Sequence, residues 1–254
     1  MATITERSKT RGPKTSRPEA DVTVSPAELP VKVTGMQAVA SKMWIPFIGM
    51  GFMIVVAALI IGAVVSVSAA EWFSFSKAAR ETAEAGSQLA TQKAFIESTK
   101  AWLPAFKFLG VGMILGGVTF LLATILGALR TGGGRVQEAL GVPVHLIKTP
   151  LTAKMFPMFM MMGMMILIAA LIVGIVEATL AYGYWNNSIA TVLDPAVEGS
   201  QLLGQLSTIS SIKMWLEPLK FVGMAFLLTG IGLALATIVR VLRWQSTRLW
   251  DILS

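Results

Sequence analysis

Four long hydrophobic runs, separated by polar stretches, dominate this chain of 254 residues. They extend from Trp44 to Ala70, Phe108 to Leu129, Phe156 to Ala181 and Phe221 to Val241. Each run is long enough to cross a hydrocarbon layer of about 30 Å as a helix. Helices are expected because lipid cannot hydrogen-bond to exposed backbone groups, and the alternating pattern of a barrel strand is missing. The pattern predicts an all-α integral membrane protein with four transmembrane helices, at about 44–70, 103–130, 155–182 and 216–243.

The chain also repeats itself. Gly86-Ser87-Gln88-Leu89 returns as Gly199-Ser200-Gln201-Leu202, 113 residues later (199 − 86), and residues 57–60 return as 169–172, 112 residues later (169 − 57). Such self-similarity indicates a duplicated structural unit. Because each unit has two crossings, both copies would enter the membrane from the same side, as parallel repeats about an axis along the membrane normal. We therefore expect two tandemly duplicated helical hairpins.

This organisation divides the chain into four parts: a disordered basic tail at 1–40, a first hairpin at 41–130, a linker at 131–153 and a second hairpin with a short basic C-terminus at 154–254. The tail is rich in Pro, Thr, Ser and basic residues and has little to bury. No secretory signal peptide is evident, so the first helix is expected to direct insertion. The linker holds Gly132-Gly133-Gly134, which we expect to end the second helix.

Lys and Arg flank the helices unequally. The tail, the linker and the C-terminus are basic, whereas the other two loops are charge-balanced or poor in charge. By the positive-inside rule, both termini and the linker are cytoplasmic, in what we expect to be a bacterial inner membrane. The net charge of +7 is explained by basic residues that attract anionic lipid and determine the orientation of the helices in the membrane. No nucleic-acid partner is therefore expected.

The chain has no Cys, and His145 is its only histidine. This composition excludes disulfides, thiolate metal sites and bis-His cofactors carried by this chain alone. The only histidine, His145, lies in the linker, so the chain offers no nucleophile–histidine constellation for catalysis. A lysine is the remaining candidate base. We therefore expect no cofactor and no enzymatic activity.

Small residues at four-residue spacing allow close helix contacts in lipid, where the usual hydrophobic drive is missing. The candidate packing positions are Ala58, Gly62, Gly112, Gly116, Ala170, Gly174, Ala225 and Thr229. Three charges lie within or near the predicted membrane segments: Lys107, Glu177 and Lys220. They can mark an ion path, but lysines near helix ends usually extend to the headgroups, so snorkelling with a structural Lys–Glu contact is the expected role.

The third helix carries a run of methionines. Met158 with Met162, and Met161 with Met165, share a helix face at i and i+4, and thioethers are ligands that copper(I) prefers. Methionine is also an adaptable filler of helix interfaces, and no His or Cys assists here. Packing is the expected role, with copper as the alternative.

The repeated loop segments are candidates for partner docking at Gly86, Ser87, Gln88, Gly199, Ser200 and Gln201, with Ser87 near a helix start. Residual ancestry from the duplication explains the same identities without a function.

These features predict a non-catalytic structural or accessory subunit of a larger membrane complex, which assembles through small-residue and Met-rich helix faces and polar outer loops. The expected partners are membrane lipids and other membrane protein subunits, in a homo- or hetero-oligomer. The alternative is a small-solute or copper(I) transporter whose path runs between the two repeats, with Lys107, Lys220 and Glu177 at its outer mouth. A third possibility is that the chain organises lipid by itself.

Overall fold

The computed structural model describes residues 21–24, 35–147, 151–194 and 200–253. The helices are α1 Gly35–Ser74, α2 Lys77–Glu81, α3 Gln88–Ala139, α4 Leu151–Trp185, α5 Ile189–Leu193 and α6 Gln201–Leu253, and the strands are β1 Asp21–Val24 and β2 Val144–Ile147. Four of the helices, α1, α3, α4 and α6, are long and apolar enough to cross a membrane. The prediction of a mainly helical chain with four helices that could span a membrane is confirmed.

The long helices extend well beyond the hydrophobic runs. The 52 residues of α3 span about 78 Å at 1.5 Å per residue, more than twice the hydrocarbon thickness. The additional length consists of polar segments that the hydrophobic pattern does not mark. At the start of α3, the Ser87 hydroxyl accepts a hydrogen bond from the Ala90 N–H at 3.4 Å, which confirms that Ser87 lies at a helix start.

The prediction that the linker glycines end the second helix is wrong, because α3 continues through them to Ala139. The structure gives a reason for the glycines. A Cβ atom on Gly133 would collide with the side chain of Gln245 in α6, whose Nε2 donates a hydrogen bond to the Leu129 carbonyl oxygen at 2.8 Å. The turn after the helix instead uses Gly141, whose φ of +69° lies in the left-handed region.

Secondary structure is present in part of the tail predicted to be disordered. Residues 35–40 belong to α1, and β1 pairs antiparallel with β2 of the linker, with Val24 opposite Val144. Gln137 at the end of α3 holds β2 in place, because its Oε1 accepts from the His145 N–H at 2.7 Å and its Nε2 donates to the His145 carbonyl at 3.1 Å. These elements overlap the tail predicted to be disordered at 21–24 and 35–40, and the disorder itself stays a prediction. The other tail residues lie outside the described chain.

Two pairs of long helices, α1 with α3 and α4 with α6, each have a close backbone crossing. A Cβ atom on Gly51 of α1 would lie 2.7 Å from the Gly110 carbonyl oxygen of α3. In the other antiparallel pair, a Cβ atom on Gly163 of α4 would lie 2.8 Å from the Gly223 carbonyl oxygen of α6. The two crossings thus occupy positions that are 112 residues apart on the first helices (163 − 51) and 113 on the second (223 − 110).

The two pairs are joined through α3, which packs against α1, α4 and α6. Between the pairs, Met160, Leu167 and Leu227 form a buried cluster with Phe108 and Leu109 of α3 against it. Within the described residues, α1 and α6 share no extensive contact. The helix α3 is therefore central, and α1 and α6 lie at the edges. We call the end of the bundle with residues 75–87 and 186–194 the loop end, and the end with β1 and β2 the strand end.

Candidate functional site

Four charged residues gather near the loop end of α4 and α6. The Lys220 ammonium group donates to Oε1 of Glu217 at 2.7 Å, and the Lys220 side chain is only 2% exposed. Glu177 of α4 is 4% exposed and lies close enough to Lys213, Lys220 and Glu217 for their charges to act on its carboxyl group. We call Glu177, Lys213, Glu217 and Lys220 the charge cluster. Glu177 and Lys220 are buried, so water screens the interaction between them little, whereas Lys213 and Glu217 are exposed.

The two equivalent lysines have different environments. Lys107 of α3 is exposed, whereas Lys220 of α6 is buried, with its ammonium group 5.5 Å from the centre of the Phe108 ring. The sequence explains the difference: 112 or 113 residues before Glu177 and Glu217 stand Val65 and Pro104, so the first pair lacks both acids. The structural Lys–Glu contact thus involves Glu217, which sequence reasoning missed. The sequence feature that could have identified this contact is the i, i+3 spacing of Glu217 and Lys220 on one helix.

A second polar cluster joins the two pairs at the loop end. The Lys93 ammonium group of α3 lies 4.8 Å from the centre of the Trp72 ring in α1 and 4.7 Å from that of the Trp185 ring in α4. It also contacts Oε1 of Glu97 at 2.9 Å, which Lys100 approaches at 3.1 Å. One cation therefore connects three of the long helices.

The loop-end docking candidates are partly used within the chain. The Gly86 N–H donates to the Asn186 carbonyl at 3.1 Å, and the Ser87 and Ser200 hydroxyls cap α3 and α6, the latter by accepting from the Leu203 N–H at 3.2 Å. Gln88 and Gln201 are exposed. Gly199 lies outside the described residues. Capping gives the repeated Gly-Ser-Gln-Leu segments a physical reason in both copies, because Ser accepts from an otherwise unpaired N–H of the first turn.

The packing candidates divide into two groups. Ala58 and Ala170 are fully buried, Gly174 is buried, and Gly62 is half-buried with Leu103 next to it. Gly112 and Gly116 of α3 are buried against the second pair: a Cβ atom on Gly112 would collide with Leu167, and one on Gly116 would lie 3.4 Å from Cε of Met164. Ala225 and Thr229 of α6 are exposed. Among the described residues, no helix covers them, because this side of α6 lies at an edge.

The methionine candidates point outward from α4. The side chains of Met158, Met161, Met162 and Met165 are all exposed. They line the surface of the bundle and not the contact between the two pairs, which Met160 and Leu167 form. In the described residues, no group of three His, Asp or Glu side chains has the spacing to hold a metal ion.

Two of the surface cavities lie at opposite ends of the bundle. One, of about 430 Å³, lies at the strand end between α3 and α6, where Gly132, Gly133 and Gln245 line it. The other, of about 510 Å³, lies at the loop end between α3 and α4, where Trp102 and Tyr182 line it. Each is mainly apolar. Neither reaches into the packed cluster around Leu167.

Comparison of the chain with models of known protein families, with curated proteins and with solved structures finds no match.

Proposed function

We propose that this chain is a non-catalytic structural or accessory subunit of a larger membrane complex, with its termini in the cytoplasm of a bacterial cell. The observation that carries the proposal is the first part of α6. Residues 201–215 form four helical turns in which no side chain is buried, although Leu203, Met214 and Trp215 are apolar. A helix of this length is marginal alone in water, so contact with another protein supplies the missing stabilisation.

The corresponding part of α3 supports this argument. It is packed by the end of α1 and by Ala83 and Ile189 of the loop end, and it buries Ala90, Ala94, Ile96 and Thr99. The counterparts of Ala90 and Ala94, 113 positions later in α6, are Leu203 and Ser207, and both are exposed. The same kind of segment is thus covered in one pair and uncovered in the other. A partner that covers residues 201–215 would give both segments similar surroundings.

We also propose that the two pairs are duplicated hairpins related by an axis along the membrane normal. The matching crossings at Gly51 and Gly163, each against a glycine carbonyl, support a common origin. So does the paired use of Ser87 and Ser200 as helix caps. Insertion of each hairpin from the same side agrees with the basic linker and termini.

The transporter alternative would need a polar path between the pairs. That region is instead occupied by Leu167 and Leu227, with Gly112 allowing close approach. The outward direction of Met158, Met161, Met162 and Met165 also gives copper no path there. These observations favour the accessory role.

Purification of the full chain from its native membrane in a mild detergent, followed by native mass spectrometry, tests the proposal. We expect at least one different protein to remain bound. Met214→Glu should release it, because this change places a charge on the exposed segment, while Leu151→Glu, at an equally exposed position near the strand end, should not. Recovery of the chain only as a free monomer or only with copies of itself would overturn the proposal.

A further inference from the structure

The contact between the two helix pairs has a counterpart surface that nothing in the described chain covers. On α3, the contact uses Ala105, Gly112 and Gly116, all of them buried. On α6, the residues 113 positions later are Pro218, Ala225 and Thr229, all of them exposed. We call Pro218, Ala225 and Thr229 the open face. Its single hydroxyl group is satisfied locally, because Thr229 Oγ1 donates to the Ala225 carbonyl at 2.8 Å.

The helix α4 shows what fits such a face. Cβ atoms on Gly174 and Ala105 would lie 3.5 Å apart, Leu167 occupies the space above Gly112, and Met164 lies against Gly116. These three residues of α4 are spaced along one side of the helix, and the three small residues of α3 leave room for them. The face therefore accepts a helix with a small residue and two large apolar ones at these positions.

The helix α1 carries the matching side. The residues 112 positions before Gly174, Leu167 and Met164 are Gly62, Val55 and Phe52. Val55 is half-buried next to Gly110 of α3, and Gly62 is half-buried next to Leu103 of α3. Phe52 is 62% exposed, so this side of α1 is only partly covered within the described chain. It cannot reach the open face of its own chain, because α3 lies between α1 and α6. A second copy brings the two surfaces together.

We propose that a second copy of this chain docks its α1 on the open face of α6, in the way that α4 docks on α3 within one chain. The contact is heterologous: it joins α1 of one copy to α6 of the next and leaves a free surface of each kind at the ends until a ring closes. The inference rests on the proposed membrane assembly and deepens it by naming one partner. The surface differs from residues 201–215, which the unlike partner is proposed to cover.

Cysteine cross-linking in native membranes tests the contact, since the chain has no cysteine of its own. Ala105→Cys with Gly174→Cys in one chain is the positive control, because the 3.5 Å between their Cβ atoms fits a disulfide. The equivalent pair between copies is Gly62→Cys and Pro218→Cys, placed on two differently tagged chains that are expressed together. A Cβ atom on Gly62 meets only Leu103 at 3.8 Å, an ordinary contact that the fold tolerates.

We expect mild oxidation to link the two tagged chains into a dimer, while either single variant alone stays unlinked. A chain with both cysteines should form linked species larger than a dimer. Ala225→Trp in the Pro218→Cys chain should lower the linked fraction about tenfold by blocking close approach, a factor typical of one lost contact. Ile172→Trp, on the exposed side of α4, should leave the linked fraction unchanged.

The inference is overturned when the mixed chains stay unlinked while the Ala105→Cys/Gly174→Cys control forms its disulfide, since the open face then contacts lipid or an unlike protein. It is also overturned when a single variant links to itself, because that indicates a two-fold contact. Loss of cross-linking with an unlike subunit still bound leaves the proposed function intact. Cross-linking between copies, with no unlike subunit bound, supports this inference but not the proposed accessory role.

Discussion

Gly163 of α4 lies so close to Gly223 of α6 that a Cβ atom on Gly163 would be 2.8 Å from the Gly223 carbonyl oxygen. Backbone cannot move aside as a flexible side chain can. Gly163→Ala is therefore expected to lower the free energy of unfolding by about 1–3 kcal/mol, the usual cost of overpacking. Gly51→Ala should do the same in the first pair, where the corresponding distance is 2.7 Å. Thermal unfolding in detergent measures both.

The matched controls are Gly49→Ala and Gly183→Ala, because a Cβ atom at either helical position meets nothing within 4 Å. These changes should be neutral or stabilising by up to about 1 kcal/mol, since alanine favours helix over glycine. Equal losses at Gly49 and Gly51 would contradict the close crossing.

The buried lysine should be more important for stability than its exposed equivalent. Lys220→Met removes the cation next to the buried Glu177 and is expected to cost about 2 kcal/mol, less than a fully buried pair because Glu217 is 57% exposed. Lys107→Met should change stability by less than about 0.5 kcal/mol. Unfolding in denaturant compares the two variants.

The interaction within the charge cluster can be isolated by a double-mutant cycle. If Lys220 stabilises Glu177, the Glu177→Gln/Lys220→Met double variant loses less than the sum of the single losses, by at least about 0.5 kcal/mol. Additive losses would show that the two residues act independently.

The path of α3 through the linker glycines gives a prediction with a neighbouring control. Gly133→Ala should displace Gln245 and break its hydrogen bond to the Leu129 carbonyl, with a loss of about 1–3 kcal/mol. Gly132→Ala, one residue earlier, meets nothing within 4 Å and should be neutral or stabilising. Hydrogen exchange at residues 125–139 would measure the difference. Similar exchange in both variants would contradict the contact with Gln245.

The two capping serines provide a test of whether the repeated loop segments serve structure or docking. Ser87→Ala and Ser200→Ala should each cost about 1 kcal/mol, whereas Ser87→Asp and Ser200→Asp keep an acceptor for the first-turn N–H and should retain stability. Thermal unfolding and partner retention are measured together. Loss of a partner from the stable aspartate variants would show that the serines also dock it.

The membrane-spanning part of the fold was predictable because lipid selects long hydrophobic runs, and α1, α3, α4 and α6 contain them. The helix ends were not, because beyond the bilayer a helix is stabilised by contacts that hydrophobicity does not report. Residues 88–102 are polar, yet they are helical and packed. Gly132 and Gly133 resemble a helix terminator, although at Gly133 the missing side chain makes room for Gln245.

The candidate site was predictable only in part, for a related reason. Equivalent positions in the sequence have unequal neighbours in space: Lys107 is exposed and Lys220 is buried, and Gly112 is covered while Ala225 is not. The repeat identifies equivalent residues but not which helix becomes central. Only the packing of α3 between the other long helices decides which copy of each residue is covered.

The strand pairing has a consequence for the order of biosynthesis. Val24 lies opposite Val144, which is made 120 residues later (144 − 24), after all of α1 and α3. At 5–20 residues per second, translation separates the two strands by roughly 6–24 s. The ribosome thus completes the first helix pair before β2 exists, and the β1–β2 ladder forms only afterwards. Joining these strands is a late event that follows synthesis of the first half and can accompany that of the second.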